Sequence, residues 1–304
     1  MPHSLNQMKR RNLLKYSCLL IIGCSATTNS STNSDSATRV NLPTKLRFAV
    51  TDANGLTELQ QDYEPFRVAL EKVLATSVEF FPVQDYFMAA SALQSNQVDL
   101  VWAGPSEYVV IRARTNAVPV ISLTRPGYHA VIVVRADSNI KSPPDLKGKK
   151  IDMWKLGSTA AHIAGSKLLI DAGLNPQTDL KIIMSGDDSL NMLKTKRVDA
   201  IVRPFHRYKI ALANAGATER EYPIIAQGKQ LPGDVFVLNS QLEPAVVAQI
   251  QSRILSGKEQ LLQAIDSVKS LSVRFKNAKV VLGNDADFDV LREVYQAIGQ
   301  DKFI

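Results

Sequence analysis

The chain has 304 residues, 45% of them apolar, and a formal charge of +7. That length holds one large domain or two of ordinary size, with enough apolar side chains for a well-formed core. Four of the positive charges (Lys9, Arg10, Arg11 and Lys15) fall in the first 23 residues, which contain no acid; the body keeps +3, spread along the chain, which excludes the clustered basic stripe of a nucleic-acid binder.

The start of the chain reads as an export signal. A basic stretch to Lys15 precedes the apolar run YSCLLIIG, which is too short to span a bilayer as a permanent helix. Residues 21–24, Ile-Ile-Gly-Cys, resemble a bacterial lipobox, so Cys24 is the expected lipidation site; a plain signal peptide or a buried strand is the competing reading. The Ser/Thr/Asn-rich tract that follows has almost nothing to bury and reads as a tether. Cys18 leaves with the signal and Cys24 is committed to lipid, so no disulfide is expected in the body. His3, His129, His162 and His206 are scattered, with no Cys/His spacing of a metal site, so neither metal nor cofactor is expected.

From Leu42 onward strands and helices alternate. Strands are predicted at 45–51, 78–82, 98–102 and 118–122, with helices over 59–75, 87–95 and 106–114 between them. A long strand at 128–135 opens a second series: strands at 151–154, 179–184 and 198–202, with helices from about 158 to 171 and over 189–194. Val98-Asp99 and Val198-Asp199 each begin an apolar run followed by a Pro-containing loop and a helix, which points to two similar α/β halves. A strand at 234–238 and three helices (244–256, 257–271, 287–298) complete the chain, the tail packing back on the first half. This pattern predicts mainly parallel sheets with ligands beyond the carboxyl ends of their strands, so the turns 52–55 and 103–105 are candidate ligand loops.

The stretch Lys155 to Ile170 carries the strongest site signal. Gly157 permits a sharp turn, and Ser158 and Thr159 are helix N-cap residues. A helix start with free N–H groups, two hydroxyls and the positive end of the macrodipole suits an anion. Taken alone, the same stretch also reads as an ordinary capped helix.

In order, these pieces resemble the phosphonate/phosphite-binding branch of the periplasmic solute-binding proteins. The segments that carry the likeness are Val83 to Tyr86, Gln97 to Pro105, Ser142 to Lys149, Gly157 to Ala160 and Leu231 to Asp234. The resemblance implies a two-lobed type II (Venus-flytrap) α/β protein with two hinge crossovers: signal 1–23, tether 24–41, lobe 1 from 42–127 plus 239–304, and lobe 2 from 128–238. It further implies a monomer, lipid-anchored in the periplasm or outside the cytoplasm, that closes on a small oxyanion and delivers it to an ABC permease. The family's ligand residues fall on Tyr86, Tyr128, Ser158, Thr159 and Asp234; the tyrosines also read as ordinary aromatics and Asp234 as a turn residue.

Three departures bear on the ligand. Ala160 stands where the family has a third hydroxyl, and Asp187 where it has a histidine. Near where some members hold an acid for an amine-bearing substrate, this chain has Arg203 and His206. These changes disfavour an aminoalkyl ligand and suit phosphite or a simple phosphonate, with a P–OH facing Asp187 and Arg203 or His206 restoring positive charge. His162, one turn into the helix, either assists or packs. The rival readings are a binding protein for another small molecule, a partner of a membrane sensor, and an enzyme; the chain has no nucleophile elbow, Walker loop or dinucleotide fingerprint to support the last.

Overall fold

The computed structural model describes residues 41–53 and 55–304, apart from the Tyr86 side chain. The expected export signal, Cys24 and the tether up to residue 40 lie outside the described residues. Strand β1 (Lys45–Val50) leads into α1 (Leu56–Leu74), which buries Leu59, Tyr63, Phe66, Leu70 and Leu74 at helical spacing. Then come β2 (Ser77–Phe80), α2 (Tyr86–Gln94), β3 (Leu100–Ala103), α3 (Pro105–Thr115) and β4 (Val118–Leu123). Asp85 caps α2 by accepting from Met88 N at 2.8 Å, and Pro105 opens α3, where no backbone donor is needed.

The chain then crosses to a second sheet. It runs through β5 (Ala130–Val134), β6 (Lys150–Asp152), a π-helical turn (Thr159–Ala164) continuing as α4 (Gly165–Asp171), β7 (Lys181–Ile183), α5 (Ser189–Lys194), β8 (Ala200–Pro204), α6 (Phe205–Ala215) and β9 (Ile224–Gln227). It returns as β10 (Asp234–Leu238), α7 (Pro244–Ser256), α8 (Lys258–Asp266), α9 (Lys269–Arg274), β11 (Val280–Leu282) and α10 (Asp289–Ala297).

Sheet order is β11-β4-β10-β3-β1-β2 in the first lobe and β7-β6-β8-β5-β9 in the second. The sheets are mixed, which corrects the expectation of mainly parallel ones. β1 pairs in parallel with β2 and β3, and β6 with β7 and β8, but the remaining neighbours are antiparallel. The physical reason is that parallel pairing arises within each strand–helix–strand unit, whereas strands arriving from the hinge enter reversed. Asp234–Leu238 pairs with β3 and β4, so the chain changes sheet before residue 234 and not at 238 as expected. β9 and β11 were not foreseen, and the helix expected over 257–271 is two helices.

The two Val-Asp dipeptides have equivalent jobs. Asp99 Oδ2 accepts from Arg47 N at 2.7 Å beside β1, and Asp199 Oδ2 accepts from Lys150 N at 2.9 Å beside β6. Asp99 thus ties β3 to β1, and Asp199 ties β8 to β6.

Two crossovers, 124–129 and 228–233, join the lobes and are bonded to each other. Leu231 N donates to Tyr128 O at 2.8 Å, and Gly127 N to Gln230 Oε1 at 2.9 Å. A Cβ on Gly233 would lie 2.1 Å from Leu123 O, so only glycine permits this approach. The tail covers the first lobe through α7 and α8, but α10 also reaches the second: Gln177 Nε2 donates to Ile298 O at 3.4 Å.

Candidate functional site

Between the lobes lies a small cavity of about 30 Å³. From the first lobe and the hinge it is lined by Asp52, Gly104, Pro105, Glu107, Arg125, Tyr128 and Arg274. The second lobe brings Trp154, Lys155, Ser158, Thr159, Pro204, His206 and Arg207. Both candidate ligand loops, the turns after β1 and β3, contribute. Two helix starts, α3 at Gly104 and the π-helical turn at Ser158, meet there, so orphan N–H groups and the positive ends of two dipoles share one space.

The turn that delivers the second helix is built by Asp152. This buried carboxylate accepts from Trp154 N at 2.9 Å and Ser185 N at 3.1 Å, holding Trp154 at a φ of 62°. A left-handed tryptophan is strained, and such strain collects where a side chain must be aimed. The ring lies under the Arg207 guanidinium at 4.7 Å and Lys155 Nζ at 4.9 Å and screens both from solvent on one side.

Charge in the cavity is dominated by cations. Arg274 is clamped between Asp52 and Asp234, the latter at 2.8 Å, and Arg125 NH1 donates to Asp234 at 3.0 Å while its guanidinium lies 3.6 Å from the Tyr128 ring centre. Lys155 Nζ reaches Asp52 across the cleft at 3.2 Å. Burial disfavours charge on Asp52, but Arg274, Lys155 and Arg207 outweigh it and hold the carboxyl well below the usual range. Burial, reinforced by Asp52, pushes the Glu107 carboxyl above the usual carboxylate range. Four cations, Arg125, Lys155, Arg207 and Arg274, thus face the acids Asp52 and Glu107 in the lining and Asp234 behind it. Arg125 and Arg274 each keep a buried Nε–H with no protein acceptor, an arrangement that costs about 1–3 kcal/mol per group unless an anion meets it.

The expected site residues divide. Tyr128, Ser158, Thr159 and His206 line the cavity, and Asp234 lies directly behind it, accepting from Trp102 Nε1 at 3.0 Å and steadying both arginines. Ser158 caps its helix, accepting from Ala161 N at 3.3 Å. The Thr159 hydroxyl is largely occupied by the other lobe: it accepts from Ser106 N at 3.2 Å and lies 2.8 Å from Ser106 Oγ. His206 is neutral, its pKa pushed down to about 2 by burial and by Arg125, Arg274 and Arg207, so it does not restore positive charge.

Four of the expected residues lie away from this cavity, and the Tyr86 side chain is not placed. Ala160 is buried in the apolar core beside Ile163. His162 accepts from Gly157 N at 3.2 Å and borders a different cavity, against α10. Asp187 is exposed on the far side of Trp154, where it pairs with Arg203 at 3.3 Å and Arg207 at 3.8 Å. Arg203 is buried, with its terminal nitrogens bonded to Gly186 O, Ser189 Oγ and Asp187 and its Nε–H without a protein acceptor. Arg203 lies near the end of β8 and Asp187 in the turn before α5, whereas Arg207, in the first turn of α6, lines the cavity as well as pairing with Asp187. Tyr86 opens α2, but its side chain lies outside the described residues.

Sequence reasoning missed Glu107, Arg125, Lys155 and Arg274 as site residues. Lys155 opened the stretch already singled out, and Arg125 stands before the Pro-Gly turn of a crossover. Glu107 is an acid at the start of an apolar helix, a usable signal; Arg274, more than a hundred residues from the Ser158 helix start, gave none. Among the described residues, no group of three or more His, Cys, Asp or Glu side chains is placed to hold a metal ion.

Comparison with known proteins places this geometry. The phosphate-import protein PhnD of Mycolicibacterium smegmatis is 25% identical, the match covering 93% of this chain and 94% of that one. Among solved structures, PhnD1 from Prochlorococcus marinus in complex with methylphosphonate aligns with a TM-score of 0.68 at 19% identity, over 85% of this chain and 99% of that one. XAC2383 from Xanthomonas citri bound to ATP aligns with a TM-score of 0.70 at 14% identity, over 86% and 98%. The family described as "ABC transporter, phosphonate, periplasmic substrate-binding protein" matches residues 48–287, the span that contains both crossovers and every residue of the cavity, and the chain belongs to that family.

Proposed function

We propose that this protein captures a small tetrahedral phosphorus oxyanion (phosphate, phosphite or methylphosphonate) between its lobes and presents it to an ABC permease. The cavity carries this reading: four cations and two helix starts surround a space of about 30 Å³, where one water needs roughly 10–15 Å³. That space suits a compact anion and leaves little room for an aminoalkyl chain or a nucleotide. Asp52, ionised and facing the cavity, accepts a proton-bearing P–OH, a bond that fully ionised sulfate cannot make. It takes the role first expected of Asp187, and Arg125, Lys155, Arg207 and Arg274 take the role expected of Arg203 and His206.

Closure supplies selectivity. Lys155 to Asp52 and Ser106 to Thr159 and Gly157 are bonds between lobes, so a ligand bridging the same surfaces favours the closed form by its preference for that form. No covalent step is needed, and the chain is read as a carrier, not an enzyme. A lipid on Cys24 and monomeric behaviour complete the reading. Calorimetry with phosphate, phosphite, methylphosphonate, 2-aminoethylphosphonate and sulfate tests it: the first three bind, and sulfate binds at least about tenfold more weakly. Tight binding of the aminoethyl compound alone overturns it.

A further inference from the structure

We propose that the Glu107 carboxyl binds the oxyanion as a neutral acid, donating its O–H to a ligand oxygen. The inference rests on the reading that the interlobe cavity holds an oxyanion, and adds a proton-linked ligand group to that site.

Glu107 is the third residue of α3, 8% exposed, and lines the cavity. Its carboxyl folds back over the start of its own helix. A Cβ on Gly104 would lie 2.1 Å from Glu107 Oε2, so the glycine makes this conformation possible. Thr51 Oγ1 lies 3.0 Å from Oε2 and 3.5 Å from Trp102 O, so its one proton goes to the nearer Oε2, while it accepts from Gly104 N at 3.4 Å. Oε1 is then the oxygen that carries the acid proton, and a protonated carboxyl is a strong donor to an anionic oxygen.

The surroundings favour that state. Asp52 from the β1–α1 turn and Asp234 from β10 disfavour a third negative charge, while Lys155 from the opposite lobe pulls the other way. Arg125 and Tyr128 from the first crossover, Arg274 from α9, and Arg207 and neutral His206 from α6 complete the charged and titratable groups around the cavity. Lys155 and Arg274 are already engaged by Asp52, and Arg125 by Asp234. An incoming anion adds negative charge beside Glu107 and reinforces its neutral form. By linkage, affinity is highest where Glu107 is protonated and falls as it ionises.

The test is calorimetry of the mature chain with inorganic phosphate and with methylphosphonate from pH 5.5 to 9, comparing wild type with Glu107→Gln. Ligand ionisation is common to both proteins and cancels in the ratio of affinities. Glutamine keeps a donor that does not titrate, so its affinity stays within about threefold of wild type at pH 5.5 and exceeds it increasingly at alkaline pH. Glu107→Ala loses at least about tenfold at pH 5.5. Thr51→Val removes the hydroxyl that favours the ionised carboxyl, and moves the wild-type pH midpoint upward even if the glutamine variant folds poorly. A ratio independent of pH, or a midpoint that Thr51→Val leaves in place, overturns the role of Glu107 alone. Failure of wild type to bind either anion at any pH overturns the parent reading instead.

Discussion

The protein contains two arginine–aspartate clusters on opposite sides of Trp154, and they differ in what they are for. The inner cluster joins Arg125, Arg274, Asp52 and Asp234, drawn from a crossover, α9, the β1–α1 turn and β10, around a cavity. The outer cluster joins Arg203 and Arg207 to Asp187 at the surface, from two adjacent segments of one lobe. In the outer one the two terminal nitrogens of Arg203 bond protein carbonyl, hydroxyl and carboxylate acceptors, and its Nε–H is left without one. The inner arginines share the unpartnered Nε–H but line the cavity between the lobes, which Arg203 does not. Proximity in sequence to the expected ligand positions pointed to the outer cluster; packing assembled the inner one.

The largest expected effect separates them directly. Arg274→Met leaves Asp52 and Asp234 short of a buried partner, destabilising the fold by about 3–5 kcal/mol and weakening phosphate or methylphosphonate binding at least about a hundredfold, the equivalent of roughly 2.7 kcal/mol. Arg203→Met also destabilises the fold, but leaves affinity within about threefold of wild type. Denaturant unfolding and calorimetry on both variants measure this, and equal losses of affinity would erase the distinction between clusters.

A smaller effect is expected at the helix start. Ser158→Ala combined with Thr159→Ala removes an N-cap hydroxyl from the cavity and the cross-cleft partner of Ser106. Affinity drops by at least about tenfold, while the ligand-free protein loses only about 1 kcal/mol of stability. Unchanged affinity places the anion away from that helix.

The smallest effect concerns pH and stability. His206 is held neutral in the fold, so below about pH 6.5 the unfolded chain binds a proton that the folded one does not. Stability is therefore full above pH 6.5 and declines toward acid by up to about 1.4 kcal/mol per pH unit. His129 and His162 are shifted in the same direction, chiefly by burial, and add to the slope. In His206→Gln the loss between pH 7.5 and 5.5 shrinks by about 1 kcal/mol; an unchanged slope in thermal unfolding shows that His206 is protonated in the fold.

Much of the architecture was legible in the residues. Apolar periodicity located most elements to within a few positions, and the repeated Val-Asp start marked two equivalent strands that the fold uses identically. The Ser158–Thr159 helix start and the turns after β1 and β3 were recognisable because local chemistry makes them: N-cap hydroxyls, a Gly-Pro helix entry and strand-end turns. Strand direction was less legible, because periodicity says which face is buried and not which way a neighbour runs. The short strands β9 and β11 were missed for a related reason: three or four residues carry too little pattern.

The sequence by itself determined the elements, their alternation in two halves, and a helix start suited to an anion, since each follows from side-chain spacing within about a dozen residues. Only the tertiary structure decided which charges meet there. Arg274 reaches the cavity because α9 packs on the first lobe beside β10, and Asp187 leaves it because the Asp152-held turn puts Trp154 in between. Electrostatic partnership depends on distance in space and on exclusion of water, and neither quantity is encoded at any fixed separation along a chain.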